Sequence, residues 1–236
     1  MIRAILFDLD QTLLDRTEGF REFAGRFAAR YADVPEGERS AWAERLIELD
    51  EDGYKTKREL FRELPERLPC ICSDPAELMA FYEREYVGSA RPMSGAPQLL
   101  TSLHPYYRLG IVTNGTDAIQ RGKLERTGLA RWFGSVVVSE SAGYRKPQRE
   151  LFALALRELG VQPEQALFVG DHPLNDIQGA YFSGMKTVWL KRSQAWPDEA
   201  AVLPDAVISE MAQLPAAIRL VSGQTAAADW RLSSGA

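Results

Sequence analysis

Cysteine and histidine are scarce in this chain, two of each among 236 residues. Cys70 and Cys72 are spaced Cys-x-Cys, and two histidines are too few to complete a zinc site around them. The pair reads as reduced thiols in a cytoplasmic protein. Long apolar runs are missing as well, since no stretch approaches the roughly 20 residues that span a bilayer. The N-terminal apolar run is too short for a signal peptide and stops at Asp8. Basic charge is not in excess: net charge is −5, from 28 Lys+Arg against 33 Asp+Glu, which argues against a nucleic-acid surface. A small anionic substrate stays open, because its binding depends on where individual lysines and arginines sit.

What is present is a change of rhythm along the chain. The segment Ile2 to Phe7 is short, β-prone and nearly uncharged, and reads as a buried strand. Residues 15–91 then carry apolar side chains at helical spacing, as in Phe20, Phe23, Phe27 and Trp42, Leu46, Leu49. Turn chemistry at Asp33-Val34-Pro35, Asp52-Gly53 and Leu68-Pro69 cuts this zone into helices over 17–31, 36–49, 56–64 and 75–87. From about Pro92 the pattern becomes strand, helix, strand. Strands are predicted at 107–113, 135–138, 166–169, 187–190 and 206–208, with helices at 95–104, 117–127, 147–160, 174–183 and 210–221.

That alternation predicts an α/β fold, a Rossmann-like parallel sheet with helices on both faces. The first strand belongs with the later ones. The core is therefore expected over residues 1–14 and 92–221, with 15–91 inserted as a helical cap. The small, polar tail 222–236 is expected to be disordered.

In such sheets a ligand sits beyond the carboxyl ends of the strands, so the residues found there matter most. Strand one ends in Asp8-Leu9-Asp10-Gln11-Thr12. Two carboxylates at the mouth of an apolar strand are costly unless a cation or proton compensates. The second core strand delivers Thr113-Asn114-Gly115, and the strand at 166–169 delivers Gly170-Asp171, with Asp176 five residues on. Lys146, in Arg145-Lys146-Pro147, precedes the helix after the third core strand. Each alone has an ordinary structural role: a strand exit, a surface lysine, a helix cap. Four segments sending polar groups to one sheet edge are harder to explain that way. His172 reads as a local loop residue.

The four motifs, in this order and at these strand ends, resemble the haloacid dehalogenase-like superfamily of hydrolases. The resemblance covers the expected core, and the helical zone is similar to that family's small cap. Val112-Thr113-Asn114-Gly115 and Leu124-Glu125-Arg126-Thr127-Gly128-Leu129 look most like the nucleotidase and sugar-phosphatase branch. One departure is Gln11, where many relatives carry Gly or Asn; Gln tolerates positive φ less well, so some strain in that turn is expected.

The resemblance implies that Asp8 attacks a phosphoryl group, giving an aspartyl-phosphate that water hydrolyses. Mg²⁺ would be held by Asp8, the backbone carbonyl of Asp10 and Asp171, with Asp176 oriented around them or bound through water. Asp10 would protonate the leaving alcohol and then take a proton from the attacking water. Thr113, the Asn114 backbone N–H and Lys146 would stabilise charge on the phosphoryl oxygens, and Thr12 would fix the loop.

The acid at position 10 separates this chain from the metal-free dehalogenases of the resembled family. A phosphonatase would need a Schiff-base lysine from the cap, for which Lys55 and Lys57 are candidates. The expectation is a Mg²⁺-dependent phosphatase acting on a small phosphorylated metabolite, a nucleotide or sugar phosphate. A phosphomutase would share every core residue, and a non-catalytic phosphometabolite-binding protein is the alternative of another class. Substrate choice is expected in the cap, where the loop from Asp52 to Thr56 offers Tyr54 to stack on a base or sugar and Lys55 to read a second anion. Nothing in the pattern specifies an oligomeric state.

Overall fold

The computed structural model describes residues 1–198 and 200–223. In chain order it runs from β1 (Ala4–Phe7) through α1 (Arg16–Tyr31), α2 (Arg39–Asp50), α3 (Lys57–Arg67) and α4 (Pro75–Glu85). It continues with α5 (Ala96–Leu103), β2 (Arg108–Thr113), α6 (Asp117–Arg126), β3 (Ser135–Val138), α7 (Ser139–Ala142) and α8 (Arg149–Leu159). Last come β4 (Ala166–Gly170), α9 (Gly179–Phe182), β5 (Lys186–Leu190), β6 (Ala206–Ile208) and α10 (Leu214–Val221). Strands β2 to β6 lie within one residue of their predicted bounds. The tail beyond Gly223, expected to be disordered, lies outside the described residues.

All six strands are parallel, in the order β3-β2-β1-β4-β5-β6. The central strand β1 is buried along its whole length, as its continuous apolar run requires of a strand covered on both faces. Its register sets Phe7 beside Ile111 on one side and Val169 on the other. The chain thus leaves β1, β2 and β4 at nearly the same height, and their terminal residues share one edge. One face of the sheet packs on α8, whose Leu151, Phe152, Ala155, Leu156 and Leu159 form a buried cluster with Leu6, Val112 and Phe168. Their spacing of one, three and four is a helix stripe facing a core.

The chain divides into two compact units. The first comprises Met1–Leu13, Met93–Gln120 and the described residues from Leu129 to Gly223; the second comprises Leu14–Pro92 with Arg121–Gly128. Residues 15–91 lie within the second unit, and the end of α6 and its exit turn also belong there. That contribution is invisible to a boundary drawn from rhythm alone, because α6 follows a core strand and looks like any crossover helix.

The second unit is built around α1. Phe20, Phe23, Phe27 and Tyr31 recur at helical spacing on it and are all buried. Phe27 stacks on Phe61 with ring centroids 5.5 Å apart and meets Phe81 edge-on at 5.5 Å, the offset geometries that aromatic quadrupoles favour. Asp15, Thr56 and Asp74 cap α1, α3 and α4, each accepting a backbone N–H of the first turn. Charge is buried here too: Asp50 receives Arg16 at 2.5 Å and also the Lys57 ammonium. Burial pushes the Lys57 ammonium below its usual range, against the pull of Asp50. No helix among the described residues is long and apolar enough to cross a membrane.

One predicted helix differs in form. The segment expected as a helix over 174–183 begins as a π-helical turn, Pro173–Gln178, and only then tightens into α9. His172 sets the wide turn, for its Nδ1 accepts from Leu174 N at 3.1 Å and Asn175 N at 3.2 Å. The Ile177 N–H reaches back five residues to the His172 carbonyl, at 3.3 Å.

Candidate active site

Asp8 follows β1 directly, its N–H still donating to Val169 O at 2.9 Å, and its carboxylate is buried. Lys146 arrives from the loop before α8, through a cis peptide bond to Pro147, and is 4 % exposed. Its ammonium donates to Asp8 Oδ1 and, at 2.6 Å, to Asp176 Oδ1. Asp176 comes from the π-helical turn, and its second oxygen accepts the His172 N–H at 3.0 Å. Asp171 follows β4; Thr12 Oγ1 lies 3.4 Å from its Oδ1. Asp8, Asp171 and Asp176 each bring one carboxylate oxygen within 4.8 Å of the others.

Gly170, the last residue of β4, makes room for this convergence. A β carbon there would stand 2.6 Å from Cβ and Cγ of Asp176. The Gly-Asp pair read from the sequence therefore has two functions, one to supply the acid and one to clear space for the next.

The electrostatics follow from burial. Burial is the main force raising the Asp8 carboxyl from its ordinary 3.8 to about 7, with Asp176 and Asp10 adding repulsion and Lys146 opposing. Asp171 is pushed up to about 9, again mainly by burial, then by Asp176 and Asp8. Burial alone would lower the Lys146 ammonium, but Asp176 and Asp8 outweigh it and hold the group above its usual range. Three carboxylates thus gather in one site, and the Lys146 ammonium pairs with two of them, Asp8 and Asp176. Their ionised forms call for another cation, and a hard, all-oxygen donor set suits a divalent ion such as Mg²⁺. The residues present fit the group.

The phosphate-binding candidates close the other side. Thr113 ends β2 and is buried. The Asn114 side chain clamps the Lys146 peptide, its Oδ1 accepting from Lys146 N at 2.9 Å and its Nδ2 donating to Lys146 O at 3.2 Å. Asp10 is half-buried and accepts from Gln120 Nε2 at 3.0 Å. Gln11 adopts φ 61°, so the loop keeps a left-handed turn in spite of its side chain.

The structure therefore brings Asp8, Asp10, Thr12, Thr113, Asn114, Lys146, Asp171 and Asp176 to the carboxyl edge of one sheet. Tyr54 and Lys55 belong to the second unit, where Tyr54 is exposed and Lys55 pairs with Glu63 at 3.0 Å and Glu51 at 3.2 Å. Two contributors were missed in the sequence. Gln120 links Asp10 to Thr113, and Trp189 Nε1 donates to the Asp171 backbone carbonyl at 2.7 Å. The signal for Trp189 was its place at the end of a predicted strand; Gln120 had none beyond its place in the first turns of α6.

This sheet edge, with its acids and lysine, defines a hydrolase centre of the kind its motifs resemble. The sequence matches the haloacid dehalogenase-like hydrolase family over residues 5–190, and the chain belongs to that family. It is 33% identical to glyceraldehyde 3-phosphate phosphatase of Methanopyrus kandleri, over 82% of this chain and 86% of that one. It is 30% identical to the pyrimidine 5'-nucleotidase YjjG of Escherichia coli, over 89% and 95% of the two chains. Among solved structures it is similar to the HAD-hydrolase YfnB of Bacillus subtilis, solved bound to magnesium. That match has a TM-score of 0.72 and 26% identity, covering 90% of this chain and 96% of that one.

Proposed function

We propose that the protein is a phosphatase that hydrolyses the monoester of a small phosphorylated metabolite, a nucleotide or sugar phosphate, through an aspartyl-phosphate on Asp8. The observation that carries this is the convergence of the Asp8, Asp171 and Asp176 carboxylates, with buried Lys146 paired to Asp8 and Asp176. Relatives named as phosphatases of a triose phosphate and of pyrimidine nucleotides support the substrate class.

Asp8, with its carboxylate held by Lys146, is the nucleophile, and the lysine keeps it oriented toward the phosphorus. Asp171 and Asp8 with the Asp10 carbonyl would hold Mg²⁺, and Asp176 would orient them. When bound, that ion supplies the positive charge that lets an anionic ester approach a carboxylate. Thr113 and the Asn114 N–H receive the phosphoryl oxygens, Lys146 offsets charge gained in the transition state, and Asp10 gives a proton to the departing alcohol. Asp10 then takes a proton from the water that opens the acyl phosphate. Tyr54 and Lys55 are proposed to contact the remainder of the substrate. Free Cys70 and Cys72 support a reducing, cytoplasmic setting.

The test is phosphate release from p-nitrophenyl phosphate by the purified protein, with Mg²⁺ and with excess chelator. Release that requires the metal is expected; equal release in chelator, or none in either, contradicts the proposal. A panel of nucleotides and sugar phosphates then ranks substrates, and Tyr54→Ala or Lys55→Ala is expected to change that ranking.

A further inference from the structure

Gln120 stands in the second turn of α6 and is 2 % exposed, which is unusual for a glutamine and implies that its amide is used. Its Nε2 lies 3.0 Å from Asp10 Oδ2, 2.7 Å from Thr113 Oγ1 and 3.4 Å from the Asn114 carbonyl. A carboxylate and a peptide carbonyl only accept, so the amide nitrogen must be the end that faces them. The approach depends on Gly115, where a β carbon would stand 2.9 Å from Gln120 Cγ and 3.0 Å from Cδ.

We propose that Gln120 is a positioning residue for the proton transfer made by Asp10. Donation to Asp10 Oδ2 fixes the orientation of the carboxyl group that moves the proton. Thr113 Oγ1 accepts from the same nitrogen at 2.7 Å and ties the amide to the end of β2. In the step it serves, the Asp8–phosphorus bond forms as the phosphorus–alkoxide bond breaks. The proton on the Asp10 carboxyl passes to the leaving oxygen. The inference rests on the phosphatase reading and adds a residue to it.

The test uses leaving groups. An aryl phosphate expels a stable phenolate and needs little proton donation, whereas an alkyl phosphate needs it fully. Gln120→Met keeps length and removes both donors; Gln120→Glu keeps shape and replaces donors with an acceptor. For either variant kcat/KM on glycerol phosphate is expected to fall about ten- to hundredfold, a part of the roughly 10²–10⁴-fold that a positioned acid contributes. The fall in kcat/KM on p-nitrophenyl phosphate should be under about threefold. Melting temperatures are recorded for both variants, so the folded one carries the test if the other is unstable. Equal losses on the two esters, or no loss on either, would overturn the positioning role while leaving the phosphatase reading intact. A wild-type protein inactive on both esters with Mg²⁺ would overturn that reading and this inference together.

Discussion

The Lys146 ammonium lies 2.6 Å from Asp176 Oδ1 and also donates to Asp8, so one cation is shared by two carboxylates 168 residues apart in sequence. Removing it leaves buried acids facing one another. Lys146→Met is expected to lower kcat by about 10²–10³-fold, the range seen when a preorganised charge-stabilising donor is lost. Steady-state kinetics on p-nitrophenyl phosphate check this, and a loss under about fivefold would remove Lys146 from charge stabilisation.

The raised acids give the metal-free protein a pH dependence whose sign can be worked out. Asp171 changes from an ordinary 3.8 to about 9 in the folded state, and Asp8 from 3.8 to about 7. Between 3.8 and those values the native state holds protons that the unfolded chain has released. Stability therefore falls as pH rises through that window and levels off above it. Melting in chelator from pH 5 to pH 9 is expected to show a declining midpoint. A cation that binds carboxylates displaces the same protons, so Mg²⁺ affinity is expected to rise over this range, with proton release in calorimetry. A flat Mg²⁺ affinity would contradict the burial argument.

Gly170→Ala tests the packing of the acidic cluster without touching a charge. The new methyl would stand 2.6 Å from Cβ of Asp176, which must then give up its place between Lys146 and the His172 N–H. Mg²⁺ affinity is expected to fall about 10- to 100-fold, as it does when groups orienting metal ligands are disturbed. Titration calorimetry reads the change, and unchanged affinity would show that Asp176 is not needed where it stands.

Gln11 carries strain that a different side chain relieves. At φ 61° an Asn is better tolerated, and Gln11→Asn is expected to raise stability by about 0.5–1 kcal/mol. In a chain of this size that is about 1–3 °C in Tm. A lower Tm would mean that the Gln11 side chain makes contacts worth more than the strain.

The sequence disclosed those parts of the site that are local. Asp8 and Asp171 each follow an apolar strand and Thr113 ends one, and strand ends are visible because burial on both faces demands an unbroken apolar run. Lys146 and Asp176 were readable from motif order, though not their pairing, which joins segments that only the folded sheet brings together. Gln120, Trp189 and the Asn114 clamp escaped for the same reason. Each acts through one side-chain hydrogen bond to a distant segment, and neither hydrophobic periodicity nor turn chemistry records such a bond. The π-helical turn escaped because its width comes from the His172 ring capping two N–H groups, a detail that spacing does not encode. The contribution of Arg121–Gly128 to the second unit is a tertiary fact of the same kind.

The central claim is that Asp8 carries the phosphoryl group. The direct measurement is rapid acid quench during turnover of p-nitrophenyl phosphate with Mg²⁺, followed by peptide mass spectrometry to locate the acid-stable, base-labile phosphoryl group. The account predicts one phosphorylated carboxylate, on Asp8, and neither label nor turnover in a folded Asp8→Asn protein. A label on another residue, or Asp8→Asn retaining most of the wild-type rate, would contradict it.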